Sequence, residues 1–375
     1  MGDLLLVTGD SSSDRYAANL ITYLKEQGFD GTIHAAAGPE SERAGANLVE
    51  NLVDRAVVGL TEVVGSLPFF FSLMSRLDRM LDEKPIQGIV LMDFPGFNMR
   101  FAKRAYKKDI PLFYYITPQV WAWGQNRIEK LKTYFEKLFV IFPFEEDFLR
   151  SHGADAEFVG HPLYRELMDT TTDDLYDLLD ISREKRIVSF FPGSRDHEIQ
   201  RHLEPMAQTA LNLVHQDSSI KPILSAAPTV NQELFLDIFT DEMKEKIPIW
   251  NGQSYPLLKN SALSILASGT ITMEATFAGT PMIVGYRTSW VTYLIGKLLV
   301  STQEFAMPNL MSENVKIPEL IQSEFTADRL TEHAIDYLAD DVKRRDQIEQ
   351  LDTITDRFEG LEPEVEVGKR LLSYF

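Results

Sequence analysis

Short, continuous apolar runs recur along most of the chain, each followed by a helical pattern, and this alternation limits the fold more than any other feature. "LLLV" from Leu4, "GIVLM" from Gly88, "PLFYYI" from Pro111, "KLFVIF" from Lys137 and "EFVG" from Glu157 form one series. "RIVSFFPGS" from Arg186, "KPILSAAP" from Lys221, "IPIW" from Ile247, "LSILAS" from Leu263 and "PMIVGYR" from Pro281 form a second. A strand that is apolar on both faces has to be covered on both, which βαβ units do with helices, so the pattern predicts parallel sheets. Between the series, Met168 to Glu184 turns acidic and polar, as a linker with a short helix would, and from Asp328 onward the chain reads as charged helices. A chain of 375 residues is long for one core, and its 44% hydrophobic content can fill two. The expected architecture is α/β with two Rossmann-like domains facing a cleft, over residues 1–165 and 166–345, and C-terminal helices over 346–375 that can pack on either half.

Charge and composition remove several function classes. A formal net charge of -19 without a long basic stripe argues against nucleic acid as a partner, because that contact needs a basic face to release counterions. Without cysteine there is no disulfide framework, thiol nucleophile or thiolate metal site, which suits a reducing compartment. "MGDLLLVTGD" lacks a basic segment before its short apolar run and reads as a first strand, not a signal peptide. No apolar span approaches the 18 residues of a membrane-crossing helix, so the expectation is a cytoplasmic protein, soluble or peripheral.

Three turns at strand ends carry the chemistry. In "IVLMDFPGFNMR" the apolar run ends on Asp93, with Pro95 and Gly96 following. Ligands of open α/β sheets bind beyond the carboxyl ends of the strands, where Asp93 falls. The same position also suits a cap for a helix starting near Asn98, and the sequence leaves both roles open. "FFPGSRDHEI" puts Gly193, Ser194 and Arg195 between a strand and a helix beginning near Asp196. Backbone N–H groups, the positive end of a helix dipole and a guanidinium fork suit an anion, although a capped turn with a solvated arginine looks the same in sequence. "SILASGTITMEA" repeats the design with Ser268, Gly269 and Thr270, and Glu274 stands one turn in, either to accept from ribose hydroxyls or to complement the helix dipole. The dinucleotide and P-loop fingerprints are both missing.

Taken in order, "MDFPGFN", "YYITPQVWAW", "VIFPFEEDF", "FVGHPL", "FPGSRDHEI", "ASGTITMEA", "GTPMIVGYR" and "MPNLMSENVKIPELIQ" resemble the lipid-A-disaccharide synthase family over about residues 1 to 330. The resemblance implies the GT-B fold and an inverting glycosyltransferase that joins UDP-2,3-diacylglucosamine to 2,3-diacylglucosamine 1-phosphate, with neither metal nor cofactor. It makes Asp93 the candidate base and Arg195 the essential arginine. It also implies substrate contacts at Gly9, Ser12, Asp14, Gly193, Ser194, Ser268, Gly269, Thr270, Glu274 and Asn309, and a place at the cytoplasmic face of the inner membrane. Four positions depart from the family's pattern. "GDSSSD" has Asp10 and Ser13 where the family has Glu and Gly, and Gly96 and Gly124 stand where Asp and Arg are usual. Rival readings are another GT-B enzyme acting on UDP-N-acetylglucosamine, or an inactive relative that only binds lipid or nucleotide.

"VVGLTEVVGSLPFFFSLMSRLDRML" holds too many apolar residues for one helix stripe, Val63, Val64, Leu67, Phe69, Phe70, Phe71, Leu73, Met74 and Leu77 among them. Core packing accounts for some of these. The rest, with Arg76, Arg79, Lys103, Arg104, Lys107 and Lys108 nearby, suit a membrane interface through Phe69, Phe70 and Phe71, or a homodimer contact. Trp121 and Trp123 suit core packing at least as well as substrate contact, and His161 suits a structural role better than acid–base work.

Overall fold

The structure is a computed structural model that describes residues 2–53, 63–122, 124–170, 174–228, 230–288, 304–312 and 314–375; the side chains of 63–67 and 236 lie outside that description. Val63, Val64 and Leu67 of the apolar block, and Trp123, therefore lie outside it as well. The chain divides into two compact units, Met1–Pro162 together with Gly360–Phe375, and Leu163–Glu359.

Among the described residues, unit 1 is built on seven strands: β1 (Asp3–Val7), β2 (Ile33–Ala37), β3 (Asn47–Asn51), β4 (Ile86–Met92), β5 (Leu112–Tyr115), β6 (Lys137–Val140) and β7 (Ala156–Phe158). They pair in the order β3-β2-β1-β4-β5-β6-β7, and every pairing is parallel. Alternation along the strands fills two different cores. Leu5, Val7, Ile89, Leu91 and Tyr114 enter one, while Leu4, Leu6, Val90, Met92, Phe113 and Tyr115 enter the other. This is the doubly covered sheet that the continuous apolar runs predict. The final helix, Pro363–Tyr374, belongs to this unit: Val367 and Leu371 join the second core. A Cβ on Gly368 would meet the Tyr23 ring at 2.3 Å, and one on Gly88 would meet the Phe375 ring at 2.5 Å, so both glycines are fixed by close packing of the returning C-terminus.

Among the described residues, unit 2 has six parallel strands: β8 (Arg186–Phe191), β9 (Ile220–Ser225), β10 (Ile249–Trp250), β11 (Leu263–Ala267), β12 (Met282–Tyr286) and β13 (Glu319–Ile321), in the order β10-β9-β8-β11-β12-β13. The helix Asp341–Thr355 closes it, with Gln347 accepting the Met282 N–H at 2.6 Å and donating to the Met282 carbonyl at 3.3 Å.

Strand order reverses once in each sheet, between β1 and β4 in unit 1 and between β8 and β11 in unit 2. Loops at such a reversal leave in opposite directions and open a crevice at the carboxyl edge, which is where ligands bind in this class of sheet. Thr8–Asp10 follows β1 and Asp93–Phe94 follows β4; Pro192–Arg195 follows β8 and Ser268–Thr270 follows β11. All three candidate turns thus fall at reversals.

Candidate functional site

Asp93 does not cap a helix. The helix after β4 runs Pro95–Ala105, earlier than the expected start near Asn98, because a proline at its first position brings a preset φ and no N–H to satisfy. Its N-cap is Phe94, which makes no side-chain capping bond. Asp93 and Phe94 both adopt left-handed backbone, at φ 43° and 47°, and Ile116 at the end of neighbouring β5 does so at φ 59°. Non-glycine residues in this region cost on the order of 1–3 kcal/mol each and persist only where neighbours impose them. Here the neighbours are identifiable. The Tyr114 hydroxyl donates to the Asp93 carbonyl at 2.6 Å, Asn98 Nδ2 donates to the same oxygen at 2.8 Å and to the Met92 carbonyl at 3.1 Å, and the Asp93 N–H donates to the Tyr115 carbonyl at 3.2 Å. Gly9 makes room for the turn, since a Cβ there would lie 2.4 Å from the Phe94 ring. Phe94 is also stacked on Phe97, with centroids 5.6 Å apart, and Phe70 leans on both.

This fixed turn brings Asp93 against Asp10. Burial, then the charge of Asp10 and a hydrogen bond with it, raise the Asp93 carboxyl to about 6. A like charge beside a buried carboxyl disfavours its ionised form, so Asp93 keeps its proton up to the range where a base serves near neutral pH. Asp10 is itself held: it caps the helix Ser11–Glu26, accepting the Ser13 N–H at 2.8 Å and the Ser13 hydroxyl at 3.0 Å. Sequence reasoning treated Asp10 only as a departure from a pattern, but a capping aspartate beside a reversal was the available signal. Gly96 lies in the first turn of Pro95–Ala105 with open space around it, so the backbone does not require glycine there.

Other expected first-half contacts resolve differently. Ser12 is exposed. Asp14 is 1% exposed, and its carboxylate accepts the N–H groups of Gly38, Glu40 and Ser41 at 2.9, 3.0 and 3.2 Å and the Ser41 hydroxyl at 2.6 Å. All its partners are the protein's own, so it ties the Pro39–Arg43 turn to the first helix instead of facing a ligand. Trp121 is buried and donates to Glu145 at 2.9 Å; the buried Glu145 carboxyl is pushed up to about 7 by desolvation. His161 is buried against Phe142, and desolvation pushes it down to about 3, so it is neutral.

In unit 2 the helix Asp196–Gln216 begins after Arg195, as expected. Gly193 sits at φ 128°, and a Cβ there would lie 2.6 Å from Glu198 Oε2, so this turn needs glycine on both counts. Glu198, which sequence reasoning missed, is buried and accepts the Ser194 N–H at 3.0 Å and Arg195 Nη1 at 3.3 Å. An acid three residues into a helix is a recognised partner for the preceding N–H groups, and that spacing was its signal. With its side chain 70% exposed, Arg195 keeps most of its five donors turned to solvent. Gly269 is at φ 157° with open space beside it, Ser268 donates to the Phe305 carbonyl at 2.9 Å, and Thr270 is exposed at the N-cap of the helix Ile271–Ala278. Glu274 receives a hydrogen bond from Ser254, and desolvation raises its carboxyl despite that bond. Asn309 does not offer a free amide: Nδ2 donates to the Ile317 carbonyl at 3.0 Å and to Glu319 at 2.8 Å, and Oδ1 accepts the Ile317 N–H at 2.7 Å. It clasps the 309–319 loop, as Asp14 clasps its own.

The phenylalanine run also divides. Phe69 and Phe70 are half-buried against the unit 1 core, Leu73, Met74 and Leu77 are inside it, and Phe71 is 67% exposed. Arg76 pairs with Glu50, while Arg104 and Lys108 pair with Asp78 and Asp82, which leaves Arg79, Lys103 and Lys107 as the exposed cations outside those pairs.

Comparison with known proteins identifies the family and the fold. A family model described as lipid-A-disaccharide synthetase matches residues 4–367. The lipid-A-disaccharide synthase of Solibacter usitatus is 32% identical over 337 residues, which cover 89% of this chain and 87% of that one. Among solved structures, the glycotransferase of kitacinnamycin superposes with a TM-score of 0.68 at 13% identity, covering 100% of this chain and 99% of its own. The UDP-GlcNAc 2-epimerase of Neisseria meningitidis, solved with UDP-GlcNAc, gives a TM-score of 0.61 at 13% identity, covering 99% of this chain and 98% of its own. The fold is GT-B, with two parallel-sheet Rossmann-like units.

Proposed function

Because the chain belongs to the lipid-A-disaccharide synthetase family, we propose that it transfers 2,3-diacylglucosamine from UDP-2,3-diacylglucosamine to 2,3-diacylglucosamine 1-phosphate, forming the β(1→6) disaccharide and UDP. The observation that carries the chemistry is the left-handed Asp93 turn at the reversal of the first sheet, with its carboxyl raised to about 6. Asp93 takes the proton of the acceptor 6-hydroxyl as that oxygen attacks the anomeric carbon opposite the departing UDP, which inverts the configuration. A base typically contributes on the order of 10² to 10⁴ in rate. On the donor side, Arg195 and the turn at Gly193 and Ser194 stabilise the diphosphate as it gains charge, and Glu274 accepts from the ribose hydroxyls while Ser268, Gly269 and Thr270 line the second turn. Incubating the purified protein with the two acylated sugars should yield UDP and disaccharide in equal amounts. Turnover of UDP-N-acetylglucosamine in their absence, or UDP release without a disaccharide, would favour the rival enzyme.

Acylated substrates have to reach the site from a bilayer, and among the described residues no helix is long and apolar enough to cross one. Contact at the membrane surface through Phe71, with Arg79, Lys103 and Lys107 toward anionic headgroups, supplies that access. Phe71→Ser alone should lower flotation with anionic vesicles while leaving thermal stability unchanged, because this ring is already exposed. Equal flotation of variant and wild type would remove Phe71 from the contact.

A further inference from the structure

Unit 2 holds a cavity of about 510 Å³ at the carboxyl ends of β12 and β13, lined by Gln200, Arg201, Glu204, Arg287, Thr288 and Gln322 among others. Two guanidinium groups and one carboxylate leave it net positive, and among the described residues neither Arg201 nor Arg287 has a carboxylate within ion-pair distance. Its walls are rigidly built. His202 is buried; its Nδ1 lies 2.8 Å from the Pro192 carbonyl, and its Nε2 lies 3.0 Å from the Arg287 backbone nitrogen and 3.1 Å from the Arg287 carbonyl. That ring clamps the backbone of Arg287 to the Pro192 end of the turn that carries Arg195.

Gln322 supplies the decisive detail. It is 6% exposed and sits at φ 55°, a conformation unusual for glutamine. Its Oε1 accepts the Thr288 N–H at 2.9 Å, and because a backbone N–H can only donate, the orientation of the amide is fixed. Nε2 is buried and has no hydrogen-bond partner among the described residues. An unpaired buried donor is costly, and this one belongs to a residue in the same wall as the two arginines.

We propose that this cavity is a phosphate-binding site, separate from the Gly193–Arg195 turn, in which Arg201, Arg287 and Gln322 Nε2 donate to the oxygens of a phosphate monoester or of a lipid headgroup. Guanidinium forks and an amide N–H match phosphate oxygens in geometry and charge. The proposal rests on the donor reading only in taking the Gly193–Arg195 turn as the diphosphate site. The full chain, saturated with UDP to fill that turn, is titrated calorimetrically with glucosamine 1-phosphate, inorganic phosphate and uncharged glucosamine. Both phosphates should bind and glucosamine should not. The double variant Arg201→Gln with Arg287→Gln should lose tenfold or more in phosphate affinity, and Gln322→Leu several-fold, each with unchanged UDP affinity as proof of folding. Flotation with phosphatidylglycerol against phosphatidylcholine vesicles distinguishes the source: a loss in the double variant without binding of either soluble phosphate assigns the site to a headgroup. Competition between UDP and the soluble phosphates, or a double variant unchanged in both phosphate and vesicle binding, would overturn the site. Failure of the donor reading shows separately, as UDP affinity that survives Arg195→Ala, and none of these readouts depends on turnover.

Discussion

The two sheet reversals solve the same topological problem by opposite means. At the reversal in unit 1, the turn after β4 runs through left-handed Asp93 and Phe94, neither of them glycine, and is held there by Tyr114, Asn98 and the ring of Phe94 over Gly9. At the reversal in unit 2, both turns take their unusual angles at glycines, Gly193 and Gly269, at little conformational cost. The first turn is acidic, with Asp10 beside Asp93; the second carries Arg195 next to the start of a helix. A group that must hold a proton gains from strain, burial and a like charge, whereas a group that must receive a charged ligand gains from open donors. On the proposed roles, the difference between the turns is one of function as well as geometry.

Removing the proton-holding group is the largest test of that contrast. Asp93→Asn should lower turnover roughly 10²- to 10⁴-fold with UDP affinity unchanged. Its effect on stability has a definite sign. A carboxyl held at about 6 in the folded state binds its proton more tightly there than when unfolded, so its contribution to stability falls as pH rises from about 4 to 6. The variant lacks that loss and should melt no lower than wild type at pH 8. Near wild-type turnover, or a large drop in melting temperature at pH 8, would break the assignment of strain to function.

The corresponding test in unit 2 separates ligands. Arg195→Ala should weaken UDP by about 1.5 to 3 kcal/mol, or one to two decades, and leave uridine nearly unchanged. Glu274→Gln should weaken both, since both carry the ribose hydroxyls. Equal losses of UDP and uridine in the arginine variant would show that the second turn is not an anion site. Gly193→Ala, by contrast, tests the backbone: the strained φ and the contact with Glu198 should cost about 1–3 kcal/mol of unit 2 stability, read by thermal melting. An unchanged melting temperature would mean that glycine is not what shapes this turn.

Legibility in the sequence follows the same division. Period and continuous apolar runs revealed the strands at both reversals, because burial on both faces leaves a mark that needs no partner to read. β2, "IHAAA", escaped because alanine has little strand preference and lies in the sheet by position, and β3, "NLVEN", escaped because an edge strand may be polar. The glycine turns of unit 2 were visible as glycines. The left-handed Asp93 and Phe94 were not, since what imposes them comes from Tyr114 and Gly9, far away in sequence. Asp14 and Asn309 show a further limit. A polar side chain that clasps its own loop and one that binds a ligand are the same letter, and only the hydrogen-bond partners tell them apart.

The smallest expected effect is also the sharpest test of the acidic pair. Asp10→Asn keeps a side chain that caps the helix Ser11–Glu26 about as well, so the fold and the position of Asp93 should survive. It removes the charge that, after burial, does most to raise the Asp93 carboxyl. With that repulsion gone Asp93 ionises more easily, and the acidic limb of the kcat/KM profile, which should turn near pH 6 in the wild type, should move to lower pH. At pH 5 the variant should therefore lose less of its own plateau rate than wild type does, while the two profiles should run parallel above pH 7. A limb that stays in place would mean that burial alone sets the base and that Asp10 serves only its helix. A limb that moves upward would mean that Asp10 stabilises the ionised Asp93, and the contrast between an acidic and a basic reversal would lose its physical cause.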